Sequence, residues 1–221
     1  MRLYKTSELF DLSHTMAAPF LEKTEYPFEI LDDISDIIVT LGKNLDEKEY
    51  HQRGDNIWIS KTAKVAPTAY IAGPCIIGAD TEVRHCAFIR GGALIGKGCV
   101  VGNSTELKNV FLFDLVQVPH YNYVGDSVLG YKAHMGAGSI TSNVKSDKSL
   151  IVMRAGDKSL ETGRKKFGAM LGDCVEIGCS SVLNPGTVIG KNASVYPLSS
   201  VRGTVPENSI YKNQNEIIMR V

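Results

Sequence analysis

Hydrophobic residues recur at every sixth position through the middle of the chain. Ten of them keep this spacing without a break: Ile59, Val65, Ile71, Ile77, Val83, Ile89, Ile95, Val101, Leu107 and Phe113. The residue four positions after each is mostly small, as in Ala63, Ala69 and Cys75. An amphipathic helix repeats near 3.6 residues and a strand at two, so the pattern indicates a different repeated unit.

A six-residue unit fits one short strand followed by a corner, and three such units close a triangular coil. The aliphatic and small residues would then point inward, and successive coils would pair as parallel strands about 4.8 Å apart. The sequence therefore predicts a mainly β protein, a parallel β-helix of hexapeptide repeats over residues 56–205.

The repeat is interrupted twice. It slips by one residue between Phe113 and Val124, in 119-PHYNYVGDS-127, and it is lost over 142–168 before it returns at Leu171. We interpret the slip as a bulge that places His120 outside the prism, because bulges re-aim side chains near functional sites. The long loop 142–168 is also a functional candidate, since long loops in compact domains tend to carry function.

The N-terminal segment, residues 1–55, follows another period. Apolar residues of 27-PFEILDDISDIIVTLGKNL-45 recur at spacings of three and four, which predicts an amphipathic helix that starts at Pro27 and stops at Gly42. A shorter helix is expected over 7–12, and the charged stretch 46–55 is interpreted as a linker. The predicted organisation is a short helical region at 1–55, the β-helix at 56–205 and a tail at 206–221.

Composition narrows the class of protein. The 221 residues carry 24 Lys and Arg against 24 Asp and Glu, a balance that argues against nucleic acid or an anionic membrane as the main partner. No apolar run approaches the ~18 residues of a membrane span, and the N-terminus lacks the apolar core of a signal peptide. The five cysteines form no C-x-x-C pair, so we expect reduced thiols, no zinc site and a cytoplasmic protein.

Two cations and one histidine are the candidates for chemistry. Arg90 and Lys108 are separated by three hexapeptide units, and each follows an inward aliphatic residue, which predicts that they share an edge on adjacent coils. Their mutual repulsion would be relieved by an anion such as phosphate; two solvated corner residues are the alternative. His120 is either a general base, since imidazole exchanges protons near neutral pH, or a solvated loop residue.

The stretch 120-HYNYVGDSVLGYKAHMGAGSITSNV-144 resembles the acetyltransferase domain of the bifunctional N-acetylglucosamine-1-phosphate uridyltransferases. Those enzymes carry His-x-x-Tyr-x-Gly-Asp, then Ile-Gly-Ala-Gly-Thr-Ile-Thr and an Asn. The resemblance extends through 90-RGGA-93, 102-GNSTELK-108 and 166-KFGAMLGD-173, and 161-ETGRKKFGA-169 is similar to archaeal sugar-1-phosphate nucleotidyltransferases. It covers roughly residues 85–205 and implies a left-handed β-helix that usually assembles as a homotrimer.

The resemblance also implies roles for single residues. It assigns the catalytic base to His120 and an acidic neighbour of that base to Glu106. The residues that it implies for substrate binding are Arg90 and Lys108 at the sugar phosphate, with Tyr123, His134, Asn143 and Lys166 at other sugar-contacting positions. At His134 the family has Asn. For acetyl-CoA it implies the backbone of Gly136 and Ala137 near the thioester, with Cys179 lining the cofactor.

The implied activity is acetyl-CoA-dependent N-acetylation of an amino sugar phosphate, by default glucosamine 1-phosphate. This reaction belongs to UDP-N-acetylglucosamine or cell-envelope precursor synthesis and requires no metal. Residues 1–55 do not resemble the nucleotidyltransferase domain of these enzymes, whereas 27–38 resemble the connector between their two domains. A nucleotidyltransferase partner docked on the N-terminal helices would fit that arrangement.

Two alternatives stay open from the sequence. The chain could be a non-catalytic, regulatory subunit that binds a sugar nucleotide. It could also be a hexapeptide trimer with interfacial zinc of the carbonic anhydrase kind. The zinc alternative is the weaker one, because His85, His120 and His134 lack the closely spaced pair that such a site needs.

Overall fold

The computed structural model describes residues 1–214 and 216–220. From residue 57 onward, short parallel strands stack into a β-solenoid with three faces, which confirms the predicted fold class. We number the faces in the order in which the chain visits them in each coil. Each edge of the prism is named by the two faces that it joins, so the 2–3 edge lies between faces 2 and 3.

The strands divide among the faces as follows. Face 1 is built from Ile57–Ser60, Cys75–Ile77, Ala93–Ile95, Ala169–Leu171, Thr187–Ile189 and Thr204–Val205. Face 2 is built from Lys64–Val65, Glu82–Val83, Val100–Asn103, Gln117–His120, His134–Met135, Glu176–Ile177, Ser194–Val195 and Ser209–Asn213. Face 3 is built from Tyr70–Ile71, Phe88–Ile89, Ile140–Thr141, Val182–Leu183 and Ser200–Val201. Two longer strands, Glu106–Leu112 and Tyr123–Leu129, run from face 3 onto face 1.

Inward residues stack from coil to coil, as the six-residue spacing predicts. The paired positions include Ile59 with Ile77, Val65 with Val83, Ile71 with Ile89 and Ile89 with Leu107. One predicted inward residue is wrong, because Ile95 pairs with Leu112 and not with Phe113. Phe113 is fully buried on the outside of the coil, with its ring 5.0 Å from that of Phe10.

The repeat loses a residue at two successive corners, both on the 3–1 edge. The corner that holds Gly91 and Gly92 in one coil is reduced to Asn109 in the next and to Asp126 in the one after, and all four residues have positive φ. Leu107 consequently pairs with Val124, one position short of three full repeats. The single slip predicted between 113 and 124 is therefore wrong in position, because the shortening occurs at these two corners.

His120 does not owe its position to a bulge. It ends the regular strand Gln117–His120 and pairs with Asn103 of the coil below. The next residue, Tyr121, turns the chain onto face 3 with a positive φ, as Ser104 and Gly138 do on the neighbouring coils. His120 is exposed because a regular strand ends at the 2–3 edge, so the predicted explanation was wrong although the exposure was right.

Face 1 is covered by the N-terminal segment. Its strands place apolar side chains outward as well as inward, and the outward ones are buried: Trp58, Ile76, Leu94, Phe111, Val128, Met170 and Val188. Each contributes roughly 1.5–3 kcal/mol when fully buried. Gly42 allows the backbone of this segment to lie against the Trp58 ring, since a Cβ there would be only 2.3 Å from a ring atom. The covering helices therefore leave faces 2 and 3 for other roles.

The helices of the N-terminal segment are shorter than predicted. They are α-helices at Thr6–Leu9, Ala18–Leu21 and Ile34–Gly42, with 3₁₀ turns at Leu12–His14 and Pro27–Asp32. The predicted helix over Pro27–Gly42 is thus broken at Asp33, and the predicted 7–12 helix ends at Leu9. The predicted linker contains a strand, Tyr50–Gln52, antiparallel to Ile57–Ser60.

The insertion at 142–168 is partly ordered as a hairpin. Strands Val152–Ala155 and Lys158–Glu161 pair antiparallel, and the buried Met153 anchors the hairpin against the 3–1 edge. At the C-terminus, Ser209–Asn213 continues face 2 past residue 205 and pairs antiparallel with Glu216–Met219. Across residues 1–214 and 216–220, no helix is both long and apolar enough to cross a bilayer.

Candidate functional site

Face 3 carries the two candidate cations on adjacent coils. The N–H of Arg90 donates to the carbonyl of Leu107 at 2.9 Å, so Lys108 follows directly above Arg90 in the stack. Each cation has its own carboxylate: Arg90 Nη1 lies 2.7 Å from Glu106 Oε1, and Lys108 Nζ lies 3.2 Å from Asp126 Oδ1. The bond to Glu106 raises the pKa of Arg90. The predicted pair of cations is therefore present, and carboxylates balance its charge.

Asp126 is the centre of a buried hydrogen-bond network at the shortened corner. Its side chain is only 4% exposed. The carboxylate accepts hydrogen bonds from Lys108 Nζ, from Asn109 Nδ2 at 3.0 Å and from Asn143 Nδ2 at 2.5 Å. These contacts bring a lysine of the β-helix and an asparagine of the inserted loop to one carboxylate.

Tyr123 connects this network to Glu106. Tyr123 and Glu106 pair on adjacent strands of face 3, and the Tyr123 hydroxyl accepts a hydrogen bond from Asn143 Nδ2 at 3.2 Å. Burial, and then the negative charges of Asp126 and Glu106, raise the pKa of the Tyr123 phenol. The hydroxyl therefore keeps its proton and can donate a hydrogen bond to a ligand. The structure thus brings together five predicted site residues, namely Arg90, Glu106, Lys108, Tyr123 and Asn143.

The 2–3 edge holds a second set of predicted residues. On three consecutive coils, the position just before the turn is taken by His120, Ala137 and Cys179. The stacking follows from two hydrogen bonds: the N–H of Gly138 donates to the His120 carbonyl at 2.9 Å, and that of Ser180 donates to the Ala137 carbonyl at 2.8 Å. The predicted base and two of the three predicted cofactor positions, Ala137 and Cys179, therefore form one column beside face 3.

A buried asparagine fixes the backbone of this column. Asn122 is 2% exposed and accepts the His120 N–H at its Oδ1, 3.1 Å away. Its Nδ2 donates to the carbonyls of Gly136 and Ser139, at 2.9 and 3.1 Å. Sequence reasoning assigned no role to Asn122, although it lies inside the quoted motif, because its function depends on burial.

The Ala137 N–H is available to a ligand. Within 1–214 and 216–220, no group accepts a hydrogen bond from it, and Ala137 is only partly buried. Backbone N–H groups left open at a turn can stabilise an oxygen that becomes negative during a reaction. Gly136, by contrast, already donates to the carbonyl of Ile177 at 2.7 Å.

His134 lies apart from the other predicted substrate residues of the chain. It is on face 2, between Gln117 and Glu176 in the stack, and its Nδ1 is 2.7 Å from Glu176 Oε2. Arg90 and Lys108 project from face 3, around the prism edge. Within one chain the structure does not bring His134 to them.

Lys166 lies at a cleft on the 3–1 edge. The cleft encloses about 470 Å³ between the inserted loop, the shortened corners and the N-terminal segment, with Asp32, Asn109, Asp126, Arg164, Lys165 and Lys166 among its lining. Lys166 and Asp126 therefore border one space, and Lys108 reaches the same carboxylate from face 3.

Within one chain, the described histidines and cysteines are not clustered in the number that a metal ion needs. Over 1–214 and 216–220, no three His, Cys, Asp or Glu side chains are grouped so as to hold an ion. His85 Nδ1 is hydrogen bonded to Thr68 Oγ1 at 2.7 Å, and all five cysteines are free thiols.

Sequence reasoning missed the part played by Asn109 and Asp126. Asp126 lies inside the motif 120–144 and Asn109 directly follows the motif 102–108, but neither side chain was given a function. A signal was present: the two residues are separated by one position less than three repeats, and they occupy the corner where a neighbouring coil has glycine. Asp and Asn are the residues other than glycine that tolerate positive φ best.

No protein-family model matches the chain. It is 30% identical over 164 residues to a Methanococcus maripaludis protein named "Bifunctional protein GlmU", a match that covers 74% of this chain and 40% of that protein. It is also 30% identical over 177 residues to a "Bifunctional sugar-1-phosphate nucleotidylyltransferase/acetyltransferase" of Sulfurisphaera tokodaii, covering 72% of this chain and 44% of the relative. The chain thus spans less than half the length of these relatives. It resembles the C-terminal β-helix domain of the first.

Solved structures show a more distant likeness. A hexapeptide transferase family protein from Anaplasma phagocytophilum has a TM-score of 0.40 at 16% identity, over 74% of this chain and 78% of the other.

Proposed function

We propose that the chain is an acetyl-CoA-dependent N-acetyltransferase whose acceptor is an amino sugar phosphate, with glucosamine 1-phosphate as the first candidate. One observation carries the proposal: the column of His120, Ala137 and Cys179 runs beside the face that projects Arg90 and Lys108. A proton acceptor, an open N–H and two cations then border one surface. The names of the partial relatives agree with this chemistry.

The reaction would start with the acceptor amine, which is mostly protonated at neutral pH. The fraction that has released a proton to water would attack the thioester carbonyl of acetyl-CoA, and His120 would take a second proton from the nitrogen as the new bond forms. The C–N bond forms, the carbonyl oxygen becomes negative, and the C–S bond breaks as the tetrahedral adduct collapses. The proton held by His120 returns to the leaving thiolate. No metal ion takes part in these steps.

Arg90 and Lys108 would bind the sugar phosphate and so fix the amine beside His120. The phosphate would replace the carboxylates of Glu106 and Asp126 as partner of the cations, at least in part. Tyr123, Asn143 and Lys166 would contact the rest of the acceptor. Glu106, freed from Arg90, would lie one coil below His120 as its acidic neighbour.

The Ala137 N–H would donate to the oxyanion that develops on the thioester oxygen. Gly136 shapes this turn, because a Cβ there would lie 2.7 Å from the backbone N of Cys179. Cys179 would line the path of the acetyl-CoA arm along the edge. The side chains above His120 on this edge, Ala137 and Cys179, are small and would leave room for that arm.

The position of His134 supports a site shared between copies of the chain. If His134 contacts the acceptor, it must come from face 2 of a neighbouring copy, since it lies around an edge from Arg90. Faces 2 and 3 are free to meet other copies because the N-terminal segment covers face 1. A homotrimer would create three such sites.

The proposal is tested by thiol release from acetyl-CoA in the presence of amino sugars and their 1-phosphates. We expect turnover with a 1-phosphate and, in His120→Ala, a loss of ~10²–10⁴-fold, the usual contribution of a general base. His85→Ala is the matched control, because His85 lies two coils below on the same edge without a catalytic assignment. It should keep full turnover.

Two results would contradict the proposal. One is absence of turnover with every amino sugar in a folded protein, which would favour a subunit that only binds a sugar nucleotide. The other is equal loss of activity in the His120 and His85 variants, which would show that the edge needs its histidines for structure.

A further inference from the structure

The 3₁₀ turn Pro27–Asp32, called here the 27–32 turn, contacts the inserted loop beside the proposed acceptor site. The rings of Phe28 and Phe167 stack with centroids 5.7 Å apart. Asp32 Oδ2 lies 2.5 Å from Arg164 Nη1. Both loop residues flank Lys166, so the turn holds the loop on either side of this lysine.

Arg164 transmits the contact to the backbone of Lys166. Its side chain is 13% exposed, and its Nε donates to the Lys166 carbonyl at 3.2 Å while Nη1 pairs with Asp32. One rigid guanidinium plane therefore links the 27–32 turn to the loop. Loss of Asp32 would leave a mostly buried cation to find another partner.

The same turn reaches the other wall of the cleft through Asn109. The Leu31 carbonyl accepts a hydrogen bond from Asn109 Nδ2 at 2.9 Å, and this amide also donates to Asp126 Oδ1. Asp126 in turn holds Lys108 and Asn143. The turn is thus linked to both groups of acceptor residues, to those on the β-helix through Asn109 and to Lys166 on the loop through Arg164.

We infer that the 27–32 turn is a positioning element of the acceptor site, with Asp32 setting the place of Lys166 through Arg164. The inference rests on the proposed function, because it concerns how that same site holds the sugar phosphate. It gives the N-terminal segment a role in acceptor affinity besides that of covering face 1. Acetyl-CoA, which is assigned to the 2–3 edge, should not be affected.

The kinetic test compares Asp32→Ala with Asp33→Ala. Asp33 is the matched control, since it is exposed, adjacent and has the same charge, yet it makes no cap hydrogen bond with its side chain. We expect Asp32→Ala to raise KM for the amino sugar phosphate about two- to fivefold, the range of a partly exposed ion pair. KM for acetyl-CoA should not change, Asp32→Glu should restore the original value, and Asp33→Ala should have no effect.

Hydrogen exchange of the ligand-free protein separates this inference from the proposed function. The amides of Phe167 and Gly168 donate to the carbonyls of Asn143 and Asp126, at 3.0 and 2.8 Å. They should exchange faster in Asp32→Ala and at the original rate in Asp33→Ala. If the wild type turns over no amino sugar, the proposed function fails while this readout still judges the positioning. Unchanged exchange in Asp32→Ala, or an equal rise of both KM values, would overturn the inference.

Discussion

Replacement of Asp126 by alanine tests the hydrogen-bond network at the shortened corner. The substitution removes the acceptor of three side-chain donors, Lys108, Asn109 and Asn143. It also places alanine at a φ of 48°, a region that favours glycine, Asn and Asp. The loss of stability should therefore have two parts, one from the network and one from the backbone.

The network part is the larger. Removing one partner of a buried ion pair costs about 3–5 kcal/mol, and the low end applies because Lys108 is 26% exposed and can regain water. The backbone part is about 1 kcal/mol for a residue with a Cβ in the left-handed region. We expect Asp126→Ala to lower the free energy of unfolding by about 4 kcal/mol in total.

The chain offers a control for the backbone part alone. Asp80 also sits at a corner with positive φ, at 58°, and its side chain is exposed. Asp80→Ala should therefore cost about 1 kcal/mol. Asp126→Asn keeps a residue that tolerates the corner and loses the charge, so its cost should fall between the two alanine variants.

Urea unfolding at equilibrium measures all three variants against the original protein, with the slope m checked for constancy. The difference between Asp126→Ala and Asp80→Ala isolates the network. A difference within about 0.5 kcal/mol, the size of an ordinary surface effect, would refute the claim that Asp126 organises this corner.

Three further predictions concern thiols and the covering segment. Ellman's reagent should modify only the exposed thiols in the native state, namely Cys86, Cys174 and Cys179; rapid modification of all five would contradict the burial of Cys75 and Cys99. Burial raises the pKa of each of these two thiols to about 12 from the usual 9.0. The unfolded chain therefore loses their protons first as pH rises above about 9, and the free energy of unfolding should fall by up to ~1.4 kcal/mol per pH unit for each thiol. Urea midpoints at pH 8 and pH 10 measure this decline, and a Cys75→Ala variant should show a shallower one. Gly42→Ala should destabilise the protein by about 1–3 kcal/mol, because the added Cβ would meet the Trp58 ring. This cost should outweigh the better helix propensity of alanine. A raised melting temperature would contradict the close packing of Gly42 on Trp58.

The six-residue period was enough to predict the β-helix, because each inward aliphatic residue has to meet its counterpart on the next coil. The placement of Arg90 and Lys108 on adjacent coils followed from the same rule. The predicted register of the repeat is wrong at the corners of Asn109 and Asp126. The hydrophobic pattern does not distinguish a corner of one residue from a corner of two residues. The shortening could therefore be placed correctly only from strand pairing.

The helices were harder to predict for another reason. The apolar residues of 27–45 fit one helix by period, but the segment forms a 3₁₀ turn over Pro27–Asp32 and an α-helix only from Ile34, on the far side of Asp33. A second apolar column, which includes Ile76, Leu94 and Phe111, repeats once per coil and could have revealed the covered face. The ion pair between Asp32 and Arg164 joins two distant parts of the chain, and no local pattern predicts such a contact.

The proposed reaction is transfer of an acetyl group to an amine, and identification of the product tests it most directly. The protein would be incubated with glucosamine 1-phosphate and acetyl-CoA labelled with carbon-13 at the acetyl carbonyl, and followed by NMR. We predict that the thioester resonance is replaced by that of an N-acetyl amide, and that His120→Ala slows the conversion while His85→Ala does not. A thioester resonance that persists with glucosamine 1-phosphate and with other amino sugar phosphates, in a folded protein, would contradict it.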